Sequence, residues 1–283
     1  TAVAVWRIVL LYNHASVDFF ALSSTIQSFV CFLILGLFFW QYKQFKLSFS
    51  FKRVKDLFSK SHHLMLASIA ITIYLQANKI LLGLLMNDSA VGIYNSAATI
   101  ANMWIFVPTA IIDSARPVIL RFKTNDNTRY ESSIKLLFSL LFLLGVVVAI
   151  IFTFGGDFVI NLLYGEAYQE AIPVIKILIW STLFSCLGTS RTVWLVGEGL
   201  YKYAQNFAIM GATLNVALCY LLIRLFGIQG AAYSTLITES TSLLVFPMVL
   251  SKTRRFDAIL FSSIRQTPVM IKSLSKIKTL LKK

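Results

Sequence analysis

The stretch Ile134–Phe154, IKLLFSLLFLLGVVVAIIFTF, decides the fold. Beyond Lys135 it carries no charge, and its length matches the roughly 20 residues an α-helix needs to cross a bilayer core. It lacks the polar/apolar alternation over about ten residues that a barrel strand requires. Backbone polar groups in hydrocarbon must bond within their own segment, so the segment is a spanning helix.

Six more blocks of this kind surround it: Val17–Trp40, His62–Met86, Val91–Ala115, Ala171–Val196, Tyr203–Phe226 and Gln229–Leu250. Thr1–Leu11 resembles the end of an eighth, cut short, so the sequence reads as the C-terminal part of a longer protein. Composition agrees. The 283 residues are 57% hydrophobic and 13% charged, with a mean hydropathy of +0.75, against about 45–50% apolar and 25% charged in soluble domains. These values exclude a soluble enzyme, a disordered chain and a disulfide scaffold. Cys31, Cys186 and Cys219 fall inside apolar blocks and are expected to be packed thiols.

The net charge of +14 would suit nucleic acid, but its distribution points to membrane orientation. Of 26 Lys and Arg, 22 lie in alternate loops or the C-terminal tail, Arg191 and Lys202 being counted in the last of those loops. The opposite loops, 12–16, 87–90, 155–170 and 227–228, hold none, only the acids Asp88, Asp157, Glu166 and Glu170. Loop 41–60 and the C-terminus are therefore expected in the cytoplasm. Phe45–Lys60 and Lys272–Lys283 mix apolar and basic residues as interfacial helices do, and membrane lipids are the expected contact.

Particular residues carry a family resemblance. Ile73-Tyr74, Asn78–Gly83, Val91–Ala98 and Trp104–Pro108 followed by Arg116-Pro117 resemble the polysaccharide-flippase branch of the multidrug/oligosaccharidyl-lipid/polysaccharide exporters. Leu163–Ala171, Asn215 and Gly227–Ala232 extend the likeness, which covers about Asp18 to Leu250. The resemblance implies an all-α, MATE-like membrane bundle with about seven full helices plus one truncated. Residues 1–40 would end a first lobe, 41–61 form a cytoplasmic amphipathic linker, 62–250 a complete second lobe of six helices, and 251–283 a basic tail. It further implies a non-enzymatic flippase without cofactor or metal in a bacterial inner membrane. Such a protein would move undecaprenyl-diphosphate-linked oligosaccharides for O-antigen, capsule or exopolysaccharide, beside a polymerase and a chain-length regulator. Within this frame Gly92 and Gly230 are expected to open helices where close packing needs small side chains, and Pro108 to bend a span.

Four basic residues remain inside the blocks: Arg7, Lys79, Lys176 and Arg224. A charge on a lipid-facing helix costs about 2.5–3.5 kcal/mol on insertion scales, so such groups face a partner or a wet cavity. Arg7, Lys79 and Arg224 are expected to line a cationic cavity for the diphosphate head. Snorkelling to headgroups is the competing reading for Arg224 and Lys176. Asn78 and Asn102 join them as substrate-binding positions; relatives commonly carry an acid at the first and often at the second, which argues against a cation-coupling role for Asn78. Glu239 is then the deepest acid, about 15 Å from the Gln229 end of its span at 1.5 Å per residue. It is a candidate for proton or sodium coupling, with pairing to Arg224 or Lys79 as the alternative. Asp113 reads as an interfacial acid.

No GK[ST] phosphate loop, GxSxG, HExxH or paired-cysteine motif occurs. His62 and His63 are adjacent and suit a metal poorly. Asn125-Asp126-Asn127 reads as a turn, and Asn87-Asp88-Ser89 as a chance glycosylation triplet. Two rivals remain. A multidrug exporter would favour an acidic cavity. A membrane polymerase or glycosyltransferase would need more room than its longest outer loop, Gly155–Glu170, offers.

Overall fold

In the computed structural model, residues 6, 9, 12, 17–41 and 50–265 are described. Arg7 and the tail beyond residue 265 lie outside them, as do the side chains of His62 and His63. All described elements are helical: α1 (Val17–Gln41), α2 (Phe51–Leu85), α3 (Asp88–Met103), α4 (Phe106–Asn125), α5 (Asn127–Tyr164), α6 (Ala171–Gly197), α7 (Tyr201–Phe226), α8 (Ile228–Leu244) and the single turn α9 (Phe246–Val249). Residues 254–265 form a further helix, α10. The chain divides into two compact units, 1–59 and 60–283.

In the first unit, α1 leaves most of its apolar side chains exposed, Cys31 among them, so this thiol is not packed as expected. Cys186 and Cys219, in the second unit, are buried. The second unit is organised around α6, which packs against α3, α5 and α8; α8 in turn lies along α7. α6 owes this place to a broad apolar face: Val174, Ile175, Ile179, Leu183, Cys186 and Leu187 are each at most 3% exposed. A helix with so wide an apolar face packs on several neighbours at once.

Four helices among the described residues are long and apolar enough to span a membrane, and two bent pairs raise this to six. The expected span Val91–Ala115 is one of those pairs, α3 and α4, which meet at 41°. Pro108 has no N–H, so the helical ladder loses a bond where it would accept from Pro108. The chain breaks at Trp104-Ile105, with Val107 N bonded to Trp104 O at 3.0 Å. The indole of Trp104 fastens the break to α6 by donating to Thr182 Oγ1 at 3.1 Å. The other pair, Ile228–Val249 and Ser251–Arg265, turns through 105°. Phe256, Ile259 and Leu260 of α10 are thereby buried in a core with Phe138 and Trp194.

The glycine expectations divide. A Cβ at Gly230 would meet the Leu222 carbonyl, so the α7–α8 hairpin requires glycine there, helped by Gly227 at φ +58°. Gly92 is exposed with nothing within 4 Å of a Cβ, and its expected packing role is not found. Nor is the expected long loop Gly155–Glu170. α5 continues through Gly155-Gly156 to Tyr164, and only Gly165–Glu170 connects it to α6. Asp126 caps α5, accepting from Thr128 N and Arg129 N, as the turn reading of its neighbourhood anticipates. Asn87 caps α3 through Ala90 N at 2.9 Å, a structural role for the first residue of the glycosylation triplet.

Candidate functional site

α2 differs from its neighbours. Its main chain makes few close approaches to α3, α6 and α8, and polar side chains bridge the gap. Asn78, 6% exposed, is the hub. Its amide donates to Tyr94 Oη on α3 and to Thr235 Oγ1 on α8, both at 2.7 Å. One helical turn away, Tyr74 Oη donates to Glu239 Oε1 on α8 at 2.7 Å. Ser185 of α6 also bonds to Glu239. A buried polar group without a partner is expensive, so these bonds fix where α2 can sit.

The space left between the helices is a cavity of about 530 Å³. Lys79, Asn78, Asn102 and Glu239 all line it, which brings together four of the six residues singled out from sequence. Lys79 is half-buried and Asn102 exposed. Asn95 and Thr99 complete with Asn102 a stripe at i, i+4 and i+7 on one face of α3. Tyr74, Tyr94, Ser181 and Thr235 add hydroxyls.

Arg224 lines neither this cavity nor the one below it. It sits exposed in the last turn of α7, with its guanidinium over the Tyr220 ring at 4.3 Å. Neither expected partner of Glu239, Arg224 or Lys79, forms an ion pair with it among the described residues; Tyr74 and Ser185 hold it instead. Lys176 is paired with Asp157 on α5 at 2.7 Å. Asp113 lies exposed beside Arg116 at 3.6 Å.

A second cavity of about 400 Å³ lies between α2, α6, α7 and α8. It shares Tyr74, Ser185 and Glu239 with the first, so the Tyr74–Glu239 bond stands in the wall between them. Its cation is Arg191, only 6% exposed. That guanidinium lies 4.1 Å from the Phe207 ring and donates to the Ser242 carbonyl. The loop cation counted from sequence is thus a buried group inside α6. Its signal was its place five residues inside the apolar block ending at Val196.

Comparison with known proteins gives these cavities a setting. The sequence profile of a family described as "Polysaccharide biosynthesis protein" matches residues 1–173. A protein of Escherichia coli (strain K12) named as an O-antigen transporter is 25% identical over 69% of this chain and 47% of its own length. One of Haloferax volcanii named as the flippase AglR is 28% identical over 63% of this chain and 38% of its own. The chain thus spans less than half the length of these curated relatives. Among solved structures, a MOP superfamily transporter from Pyrococcus furiosus superposes with a TM-score of 0.54 at 23% identity, over 64% of this chain and 41% of that one. At this identity the likeness concerns the fold, which is that of the MATE-like transporters. A profile match over 173 of 283 residues, carried on such a helical bundle, makes this chain a multi-pass membrane protein of the polysaccharide biosynthesis protein family.

Proposed function

We propose that the chain belongs to a flippase for lipid-linked oligosaccharides, carrying undecaprenyl-diphosphate-linked repeat units across a bacterial inner membrane with residues 251–283 on the cytoplasmic side. The observation that carries this reading is the 530 Å³ cavity holding Lys79 among amides and hydroxyls within otherwise apolar helices. A polar chamber in such surroundings suits a hydrophilic head group whose lipid tail stays in the bilayer. Lys79 is assigned the diphosphate, because an ammonium binds phosphate as a point charge. Asn102 lies on the facing wall, and Asn78 holds that wall in place. Movement is by alternating access, rocking one helical lobe against another.

Glu239 is the proposed coupling group. It lies in the wall between the two cavities, so a proton or sodium ion arriving there would loosen its bond to Tyr74 and open one chamber to the other.

The test reconstitutes the full-length protein in vesicles with a short-chain polyprenyl-diphosphate oligosaccharide. Lys79→Gln should slow transfer about tenfold, the effect of one charge-assisted bond, while insertion stays normal. Glu239→Gln should abolish dependence on the ion gradient. Unchanged transfer in Lys79→Gln, or efflux of an organic cation in place of lipid transfer, overturns the reading.

A further inference from the structure

After the turn of 105° that follows α8 and α9, α10 crosses the bundle. The Phe256 ring lies 5.4 Å from that of Phe138, and seven residues later the Ser263 carbonyl accepts from Ser139 Oγ at 2.6 Å. Seven residues are about 10 Å of helix at 1.5 Å per residue, yet they meet consecutive residues of α5. α10 therefore lies across α5 at one level of it. That level is about 5 Å along the helix from Lys135, where the apolar run of α5 begins. On α6 the level is the same: Trp194, 5.6 Å from the Phe256 ring, stands two residues before the apolar block ends at Val196. A helix lying across the bundle at this depth runs along the boundary where phospholipid head groups sit.

The two faces of α10 differ. Phe256, Asp257, Ile259, Leu260 and Ser263 are buried against the bundle. Arg254, Ala258, Phe261 and Arg265, at i, i+4, i+7 and i+11, share the other face and are exposed, Phe261 by 51%. At the corner before α10, Met248 and Val249 are exposed as well. Arg254 Nε donates to the Met248 carbonyl at 2.9 Å, which holds the guanidinium at that corner and leaves its terminal nitrogens for a ligand. The nearby carboxylates are committed elsewhere: Glu131 to Arg255, Asp126 to Arg129 and Glu198 to Lys123. Lys252 and Arg265 have no ion pair among the described residues. An exposed phenyl ring between two arginines, with no acid on the face, matches a surface that is anionic above and apolar beneath. We propose that α10 is a docking helix for anionic phospholipids, with Arg254 and Arg265 on head-group phosphates and Phe261 at the acyl boundary. The contact lies at 254–265, apart from the two interfacial stretches expected from sequence, and it does not depend on what the cavities carry.

The full-length protein carrying Phe261→Trp would be placed in phosphatidylcholine nanodiscs with rising shares of brominated phosphatidylglycerol or brominated phosphatidylcholine. The parent protein supplies the background of the native tryptophans. The added quenching should reach half its maximum at about fivefold less phosphatidylglycerol than phosphatidylcholine, the worth of one basic residue at an anionic surface. Combining Arg254→Gln with Arg265→Gln should remove that preference, whereas Arg265→Lys should keep it, because a surface potential reads charge alone. Arg224→Gln, in the last turn of α7, should leave it unchanged, which separates a local site from net charge. Inorganic phosphate at matched ionic strength should not displace the lipid; displacement would mark a site for free anions and overturn the proposal. Equal quenching by the two lipids, quenching by neither, or a preference that survives the double arginine variant would overturn it too.

Discussion

Arg191 and Lys79 are both cations within apolar helices, and their surroundings could hardly differ more. Around Arg191, at the Gly197 end of α6, the guanidinium is buried and tied to its neighbours, although its Nε and the nearby Thr238 Oγ1 make no hydrogen bond. Phe207 covers the guanidinium, and Ser242 takes its hydrogen at the point where α8 ends before Pro247. Next to it Trp194, Phe138 and Phe256 form an aromatic cluster with centroid separations of 5.4 and 5.6 Å. Around Lys79 the neighbours are amides and hydroxyls that bond to one another or to their own helices, and the ammonium borders the cavity. The first region holds the bundle together, and the second leaves room in it. A charge in a membrane helix is therefore evidence of function only when its partners are insufficient to explain it.

Deletions at the aromatic end should break this contrast most visibly. Trp194→Ala removes a side chain that is 2% exposed and touches α10 through Phe256. The expected loss is about 4 kcal/mol, the usual range for a buried aromatic cut to alanine. Thermal unfolding in detergent would record it, and a loss near zero would mean that α10 is not part of the folded core. Arg191→Met keeps most of the volume but leaves the Ser242 carbonyl without its donor. About 2 kcal/mol is expected, read as protection of the α8–α9 break in hydrogen exchange.

At the cavity the expected effects are smaller because fewer groups are buried. Asn78→Leu should cost about 1.5 kcal/mol, since Tyr94 and Thr235 lose a donor. Asn78→Asp would sharpen the point: a carboxyl group cannot donate to both Tyr94 and Thr235, so the variant should be less stable than the parent at neutral pH. Limited proteolysis of the two variants side by side would rank them.

How much of this was visible beforehand depends on the range over which the residues act. The run Ile134–Phe154 needs no partner to declare a helix, and Pro108 located a break that appears within four residues of it. Lys79, Asn102 and Glu239 were legible as polar residues stranded in apolar blocks. Tyr74, Ser185 and Thr235 were not, because hydroxyls and aromatics are ordinary in packed helices and their use emerges only across 157 and 165 residues of chain. Arg191 was hidden by a count that assigned cations to loops by their nearness to a block end. Arg224 misled for the opposite reason: an arginine in a final helical turn can lie along a ring on its own helix, as it does over Tyr220, without facing a cavity. Gly92 shows that a small residue near a helix start is not by itself a packing site.

The smallest stability effect is the most informative. Lys79 contributes no ion pair among the described residues and borders a cavity rather than a core, so Lys79→Met should change the unfolding free energy by no more than about 0.5 kcal/mol, as for surface positions free of special contacts. The same variant should lose lipid-diphosphate transfer. Arg191→Met should show the reverse order of effects, with stability reduced and residual transfer falling only in proportion to folded protein. If Lys79→Met instead destabilised the bundle as strongly as Arg191→Met, the ammonium would be a structural tie, and the distinction between a cation that holds helices together and one that awaits a ligand would fail at the residue on which it depends.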